Sequence, residues 1–170
     1  KEVKKNYTAK YEKKPELISE LRKTKTQEEI RRIRKACEIA SRGMKRAYQL
    51  IGPEKTEIEI AAEIEYEMRK MGSEGTAFDT IVASGNTSWF PHTLARNKKI
   101  PKEGLVTVDL GAKWKDYKSD MTRTFLLSEA RELEKIMEIV KEAKNAALKK
   151  VKPGIKASEI DEEARKVLRT

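Results

Sequence analysis

Asp109 and Asp120 are the residues whose type and spacing first suggest chemistry. Each adjoins a β-branched, apolar run, residues 105–110 and 121–127, that reads as a strand. The polar segment 113–116 between them is short enough for a hairpin loop. A hairpin centred between Trp114 and Lys115 sets the two aspartates directly opposite each other on one face. Their Cβ atoms would then be roughly 5 Å apart. Carboxylates that close repel, and a buried pair forces one of them to keep its proton. A divalent cation bound between them removes that cost, so the spacing reads as half of a metal site. The competing reading has Asp109 capping a turn at Gly111 and Asp120 solvated beside Lys118 and Arg123. Val106, Val108 and Leu110 surround Asp109 with apolar neighbours, which weighs towards function.

His92 is the only histidine in the chain. It follows an expected strand over residues 77–83 and a loop in which Gly85 permits an unusual turn and Pro91 holds Phe90 extended. This places His92 at a loop tip between two strands. A lone loop histidine is usually solvated. Beside a metal site, a neutral imidazole can instead donate to a substrate carbonyl or a developing oxyanion.

Helices must position these strands. Thr26 and Glu29 form a capping box, predicting a helix to about Leu50. Ile30, Ile33, Cys37, Ala40, Met44, Ala47 and Tyr48 recur at helical spacing and predict one apolar stripe. Cys37 is read there as a small buried apolar residue rather than a nucleophile. Gly52 and Pro53 end this helix, and Thr56 with Glu59 caps a second that runs to about Met71 before Gly72. Beyond the hairpin, residues 132–150 carry Leu133, Ile136, Ile139, Val140, Ala143, Ala147 and Leu148 at helical spacing. Pro153 and Gly154 break that helix, and Ser158 is read as the cap of a last one running toward Leu168.

That order is a repeat: long helix, Gly/Pro break, capped helix, at 26–71 and again at 132–170. An offset of about 102 residues sets Ile58 on Ile160. The first copy leads into strands with His92, Asp109 and Asp120; the second stops before any strand, so a second strand-rich half is expected elsewhere. The expected divisions are residues 1–25 as a linker from a preceding N-terminal domain, 26–128 as the first pseudo-repeat and 129–170 as the helix pair opening a truncated second.

The 170 residues suffice for one domain with a core. Charged residues make up 39% and the net charge is +10, giving a solvated, basic surface. Four Asn and two Gln against abundant Lys and Glu resemble the bias of proteins from hot environments. Cys37 has no partner for an internal disulfide, which suits a reducing compartment. No apolar run reaches the length of a membrane span and no signal peptide is visible, so no membrane association and a cytoplasmic location are expected. Residues 1–22 are basic and irregular, a connector with one or two helical turns after Pro15. Nucleic-acid binding by its lysines is disfavoured because no aromatic platform accompanies them. Lys1 stands where an initiator Met would, so the start is read as lying inside a longer polypeptide.

Four segments together resemble the first half of a pita-bread metallopeptidase. They are Phe78-Asp79-Thr80-Ile81-Val82-Ala83-Ser84-Gly85, Pro91-His92, Val108-Asp109-Leu110-Gly111-Ala112 and Ser119-Asp120-Met121-Thr122-Arg123-Thr124-Phe125. That family includes methionine aminopeptidase, proline aminopeptidase, prolidase and creatinase. The resemblance implies an α+β pita-bread fold, incomplete here, with two pseudo-symmetric halves around a dinuclear metal site. Asp109 would chelate one metal, Asp120 would bridge both, and His92 would contact substrate and steady the tetrahedral intermediate. The Ser119 motif is closer to the proline-specific branch than to methionine aminopeptidases. Two divalent ions are implied, Mn, Co, Fe or Zn, and a peptide or dipeptide substrate with proline at its second position; a homodimer is left open. The family's remaining ligands, a His and two Glu, come from the second half, and this chain has no second His. With two of five ligands it should bind metal weakly and be inactive alone. The alternatives are methionine aminopeptidase, and a non-catalytic pita-bread module whose basic surface binds RNA or an acidic partner.

Overall fold

A computed structural model describes Lys14 and residues 16–169. The connector expected over residues 1–25 therefore lies outside the described residues for Lys1 to Lys13 and Pro15; its described part holds the exposed helix α1 (Leu17–Lys23).

Helix α2 (Gln27–Leu50) begins where its capping box predicts. Glu29 N–H donates to Thr26 Oγ1 at 3.3 Å, and Thr26 N–H donates to Glu29 Oε2 at 2.7 Å. Helix α3 (Glu57–Lys70) repeats the device with Thr56 and Glu59. Each box satisfies donors that a helix start would otherwise leave orphaned. The buried face of α2 is Ala36, Ile39, Ala40, Gly43, Met44 and Ala47. Cys37 is exposed, contrary to the stripe read from sequence, and so is Tyr48. The face is set by the crossing with α3. There a Cβ on Gly43 would meet Met68 Cγ at 2.9 Å and Ile64 Cγ2 at 3.3 Å. Helices that close bury the residues flanking Gly43 and turn Cys37 outward.

Among the described residues six strands form two antiparallel sheets: β1 (Gly75–Thr76), β2 (Ile81–Ser84), β3 (Leu105–Leu110), β4 (Ala112–Trp114), β5 (Tyr117–Lys118) and β6 (Met121–Leu126). One sheet has the order β1-β4-β5, the other β2-β3-β6. A single ribbon runs through both, bent at Gly111. The pairs Leu110↔Met121 and Lys113↔Lys118 belong to one register. At its tip Lys115 and Asp116 both have positive φ, 47° and 66°, as a two-residue type I′ turn requires. The ribbon thus turns between Lys115 and Asp116, one residue later than expected. Asp109 consequently pairs with Thr122, and Asp120 is its diagonal neighbour, not its direct partner.

The strand expected over residues 77–83 is also interrupted. Thr76 pairs with Ala112 and Ile81 with Asp109, so this side uses two more residues than the ribbon does. The excess forms a bulge around Phe78 and Asp79, a device that re-aims side chains.

Along β3, Val106, Val108 and Leu110 are buried while Leu105, Thr107 and Asp109 are half-buried. The buried set packs with Ile39, Met44, Ile60, Ile64 and Val82 in the core beneath α2 and α3. The other face, carrying Asp109, is turned away from those helices. Ser119 fixes the ribbon at its bend: Ala112 N–H donates to Ser119 Oγ at 3.0 Å, and that hydroxyl donates to the Ala36 carbonyl of α2 at 3.0 Å.

Helices α4 (Arg131–Lys150) and α5 (Ala157–Leu168) pack mainly on each other. Ser158 lies inside α5 and does not cap it; Lys156 is the N-cap, with its N–H donating to Glu159 Oε1 at 3.4 Å. The ends of the two helix pairs correspond at an offset of 100 residues, Leu50 with Lys150 and Glu57 with Ala157, which sets Ile60 rather than Ile58 against Ile160.

The bend gives a direct test. A Cβ on Gly111 would collide with the Ser119 carbonyl oxygen and lie 2.7 Å from Ala77 Cβ and 2.9 Å from Phe78 Cε1. Backbone cannot swing aside as a side-chain tip can, so Gly111→Ala should cost about 3 kcal/mol or more. Urea unfolding measures this, and a midpoint equal to wild type would contradict the bend as described.

Candidate functional site

The open face of the β2-β3-β6 sheet presents a row across three strands. Ile81 pairs with Asp109, and Asp109 with Thr122. The Thr122 hydroxyl donates to Asp109 Oδ1 at 2.9 Å. Asp120 lies two residues before Thr122, and side chains two apart share a face. A cavity of about 350 Å³ opens here, lined by Phe78, Asp79, Ile81, His92, Leu94, Asp109 and Asp120.

The lining residues arrive by several routes. Asp109 comes from β3, the central strand of its sheet, and Asp120 from the bend of the ribbon beside Ser119. Phe78 and Asp79 come from the bulge. His92 and Leu94 come from the long connection between β2 and β3, where His92 is exposed on a turn after Pro91. The three residues singled out from sequence are thus brought to one cavity, although the register that does so differs from the expected one.

Electrostatics mark Asp109. Burial, the largest influence, pushes its pKa above the ordinary aspartate value, and the Thr122 hydrogen bond pulls it back. The negative charge of Asp120 and its hydrogen bond push it up again, while positive charge at His92 lowers it, leaving the pKa raised. A carboxyl with one neutral donor and a like-charged neighbour is ill provided for as an anion. A cation shared with Asp120 would relieve both causes, so the pair suits part of a divalent-metal site. It is only part: among the described residues no three His, Cys, Asp or Glu side chains converge to hold a metal ion.

Three contributors escaped the sequence reading. Thr122 would have been found by centring the turn one residue later, since Asp109 then falls opposite it. Ser119 anchors the bend through a contact with Ala36, 83 residues away in sequence, which no local signal announces. Asp79 reaches the cavity because of the bulge, and a continuous strand over 77–83 gives no hint of that.

The raised pKa of Asp109 makes a prediction for metal-free protein. The folded state holds this proton more tightly than the unfolded chain, so ionising Asp109 lowers stability. No stability is lost while both states are protonated; the loss grows as pH rises from the unfolded aspartate range through the folded pKa, and then stays. Asp109→Asn removes the charge and keeps an acceptor for Thr122. In EDTA at pH 7 it should melt above wild type, with the difference vanishing toward about pH 3, below the ordinary aspartate pKa. A lower Tm at pH 7 would contradict this.

The model of metallopeptidase family M24 matches residues 31–170. An Xaa-Pro dipeptidase of Pyrococcus furiosus is 44% identical over 155 residues, 91% of this chain and 44% of the relative. A prolidase structure from the same organism superposes with a TM-score of 0.88 at 44% identity, over 91% of this chain and 46% of that one. An X-Pro aminopeptidase structure from Thermotoga maritima gives a TM-score of 0.84 at 40% identity, over 89% of this chain and 44% of that one. The chain thus spans about half the length of the curated relatives it matches. Its helix pair and antiparallel sheets are part of an α+β pita-bread fold, and the chain belongs to metallopeptidase family M24.

Proposed function

We propose that Asp109, Asp120 and His92 serve the active site of a metal-dependent peptidase of the Xaa-Pro dipeptidase type. The observation that carries this reading is that both carboxylates and the single histidine line one cavity on the open sheet face. Relatives named Xaa-Pro dipeptidase at 44% and 43% identity support the proline-directed reading. Asp109 and Asp120 would hold part of a site for two divalent ions of Mn, Co, Fe or Zn, with the remaining ligands, a His and two Glu, supplied by a second half. Such ions supply a Lewis acid for polarising the scissile carbonyl. The Thr122 hydroxyl orients the Asp109 carboxylate, and Ser119 holds the bend that presents Asp120. The His92 ring donates its N–H to the carbonyl oxygen of the bond before proline, most strongly as charge builds on that oxygen.

The repeat supports the expected domain division. Ile51 and Val151 leave their helices with nearly equal backbone angles, φ −61° and −62°, ψ 116° and 113°. Positions buried on α2, such as Ala36 and Ala40, correspond to Ile136 and Val140, apolar and exposed on α4. Residues 129–170 are therefore the helix pair opening a second pseudo-repeat. Among the described residues no helix is long and apolar enough to cross a membrane. The cytoplasm remains the proposed location, on the strength of the unpaired Cys37.

The similarity to an X-Pro aminopeptidase structure favours one second reading, cleavage of longer peptides at the same Xaa-Pro bond. Comparing Met-Pro with a tripeptide that begins Met-Pro separates the two, and Met-Ala tests the methionine aminopeptidase alternative. In the full-length polypeptide loaded with metal, Asp109→Ala and Asp120→Ala should each abolish Met-Pro hydrolysis. His92→Ala should lower kcat about 10²- to 10³-fold, the loss typical of removing one oxyanion donor. Undiminished turnover by Asp109→Ala would reject the assignment.

A further inference from the structure

We infer that Glu57 and Arg96 form a clamp that sets where His92 stands; the inference rests on the role proposed above for His92. Glu57 is the first residue of α3, and its side chain is 0% exposed. Its carboxylate collects five donors. Oε1 accepts from Ser84 N–H at 3.0 Å, Ser84 Oγ at 2.7 Å and Arg96 Nη2 at 2.8 Å. Oε2 accepts from Arg96 Nε at 2.9 Å and Arg96 N–H at 3.2 Å. Arg96 Nη2 donates in addition to Thr87 Oγ1 at 2.6 Å.

The partners occupy both stems of one loop. Ser84 is the last residue of β2, where the loop leaves the sheet, and Arg96 lies where it returns along α3. Main-chain bonds secure the returning stem: Glu57 N–H donates to Lys98 O and Ile58 N–H to Arg96 O, both at 3.0 Å. His92 sits between the stems. Among the described residues no hydrogen bond holds its ring, so the ring's place over the cavity follows from where the stems are pinned.

Loop closure alone does not need this arrangement. A buried ion pair is often no more stabilising than apolar residues of equal volume. It offers a fixed geometry: the planar guanidinium meets the carboxylate as a fork, and each contact is directional. Burial, the largest influence on Glu57, pushes its pKa up, but the Arg96 and Ser84 hydrogen bonds outweigh it and the pKa is lowered. The clamp therefore stays charged at neutral pH. Glu57 and Arg96 are positioning residues and act through His92.

The test is a double-mutant cycle in the full-length, metal-loaded polypeptide with Met-Pro as substrate. Glu57→Gln keeps the volume and one acceptor but loses the charge. It should lower kcat about 10- to 100-fold with KM and bound metal little changed, as a misplacement near 1 Å can do. In the His92→Ala background the same substitution should cost nothing further. Hydrogen exchange across residues 85–95 should be faster in Glu57→Gln than in wild type. Arg96→Lys, which keeps the charge but not the fork, should behave the same way and stands in if Glu57→Gln fails to fold. An equal loss of kcat in both backgrounds, with His92→Ala itself impaired, overturns the clamp's action on His92, as does unchanged exchange. A fully active His92→Ala instead overturns the role proposed for His92, and with it the catalytic half of this inference.

Discussion

The main-chain ladder that joins β3 to β6 and, past Gly111, β4 to β5 keeps one register over its whole length. Side chains alternate with a period of two, so this ladder decides which residues face the helices and which face the cavity. A slip of one residue would bury Asp109 in the core and turn Leu110 outward, an exchange that costs twice over. Three features oppose a slip. The turn at Lys115 and Asp116 fixes the tip; Ser119 ties the bend to α2; and Val106, Val108 and Leu110 have a ready apolar floor. The bend itself needs Gly111, because nothing larger than hydrogen fits against the Ser119 carbonyl. Register and bend together bring Asp120 diagonally beside Asp109. The site is thus a consequence of backbone pairing before it is one of side-chain chemistry.

Local signals were legible in the sequence wherever one short window contained them. Both capping boxes, at Thr26 and Thr56, start helices as read, because a cap is a contract between residues three apart. Strands β3 and β6 were visible in their composition, and Asp109, Asp120 and His92 do line one cavity. Two of the misreadings share a cause, a partner distant in sequence. Cys37 looked apolar-facing until the crossing at Gly43 chose the buried side of α2. The strand over 77–83 looked continuous, but pairing with the bent ribbon demands a bulge. The hairpin centre was misplaced by one residue because Lys115 and Asp116 are unusual occupants of a turn that prefers Asn-Gly. Positive φ at both positions is offset by neighbours, with Lys115 over the Trp114 ring and Lys113 Nζ 2.9 Å from Asp116. Ser158 mimicked a cap, although it is the second residue of α5, which displaced the alignment of the two helix pairs.

Two carboxylates at opposite ends of β2 show how the same chemical group is put to different ends. Glu57 lies deeper, yet it receives five donors, two of them shared with the guanidinium fork, and its negative charge is stabilised. Asp109 is less buried, yet it receives one hydroxyl and faces the charge of Asp120. Burial depth therefore does not rank them; the supply of donors does. A group whose charge is fully answered by the protein has nothing left to offer a ligand and can serve only to hold structure. A group left short keeps free lone pairs directed into an open cavity, and its own pairing with the fold is weaker for it. That asymmetry explains why the helix-side carboxylate can fix a loop while the sheet-side pair remains available for chemistry. It also explains why Asp109 should gain stability from neutralisation, whereas Glu57, whose partners include a guanidinium, should lose it.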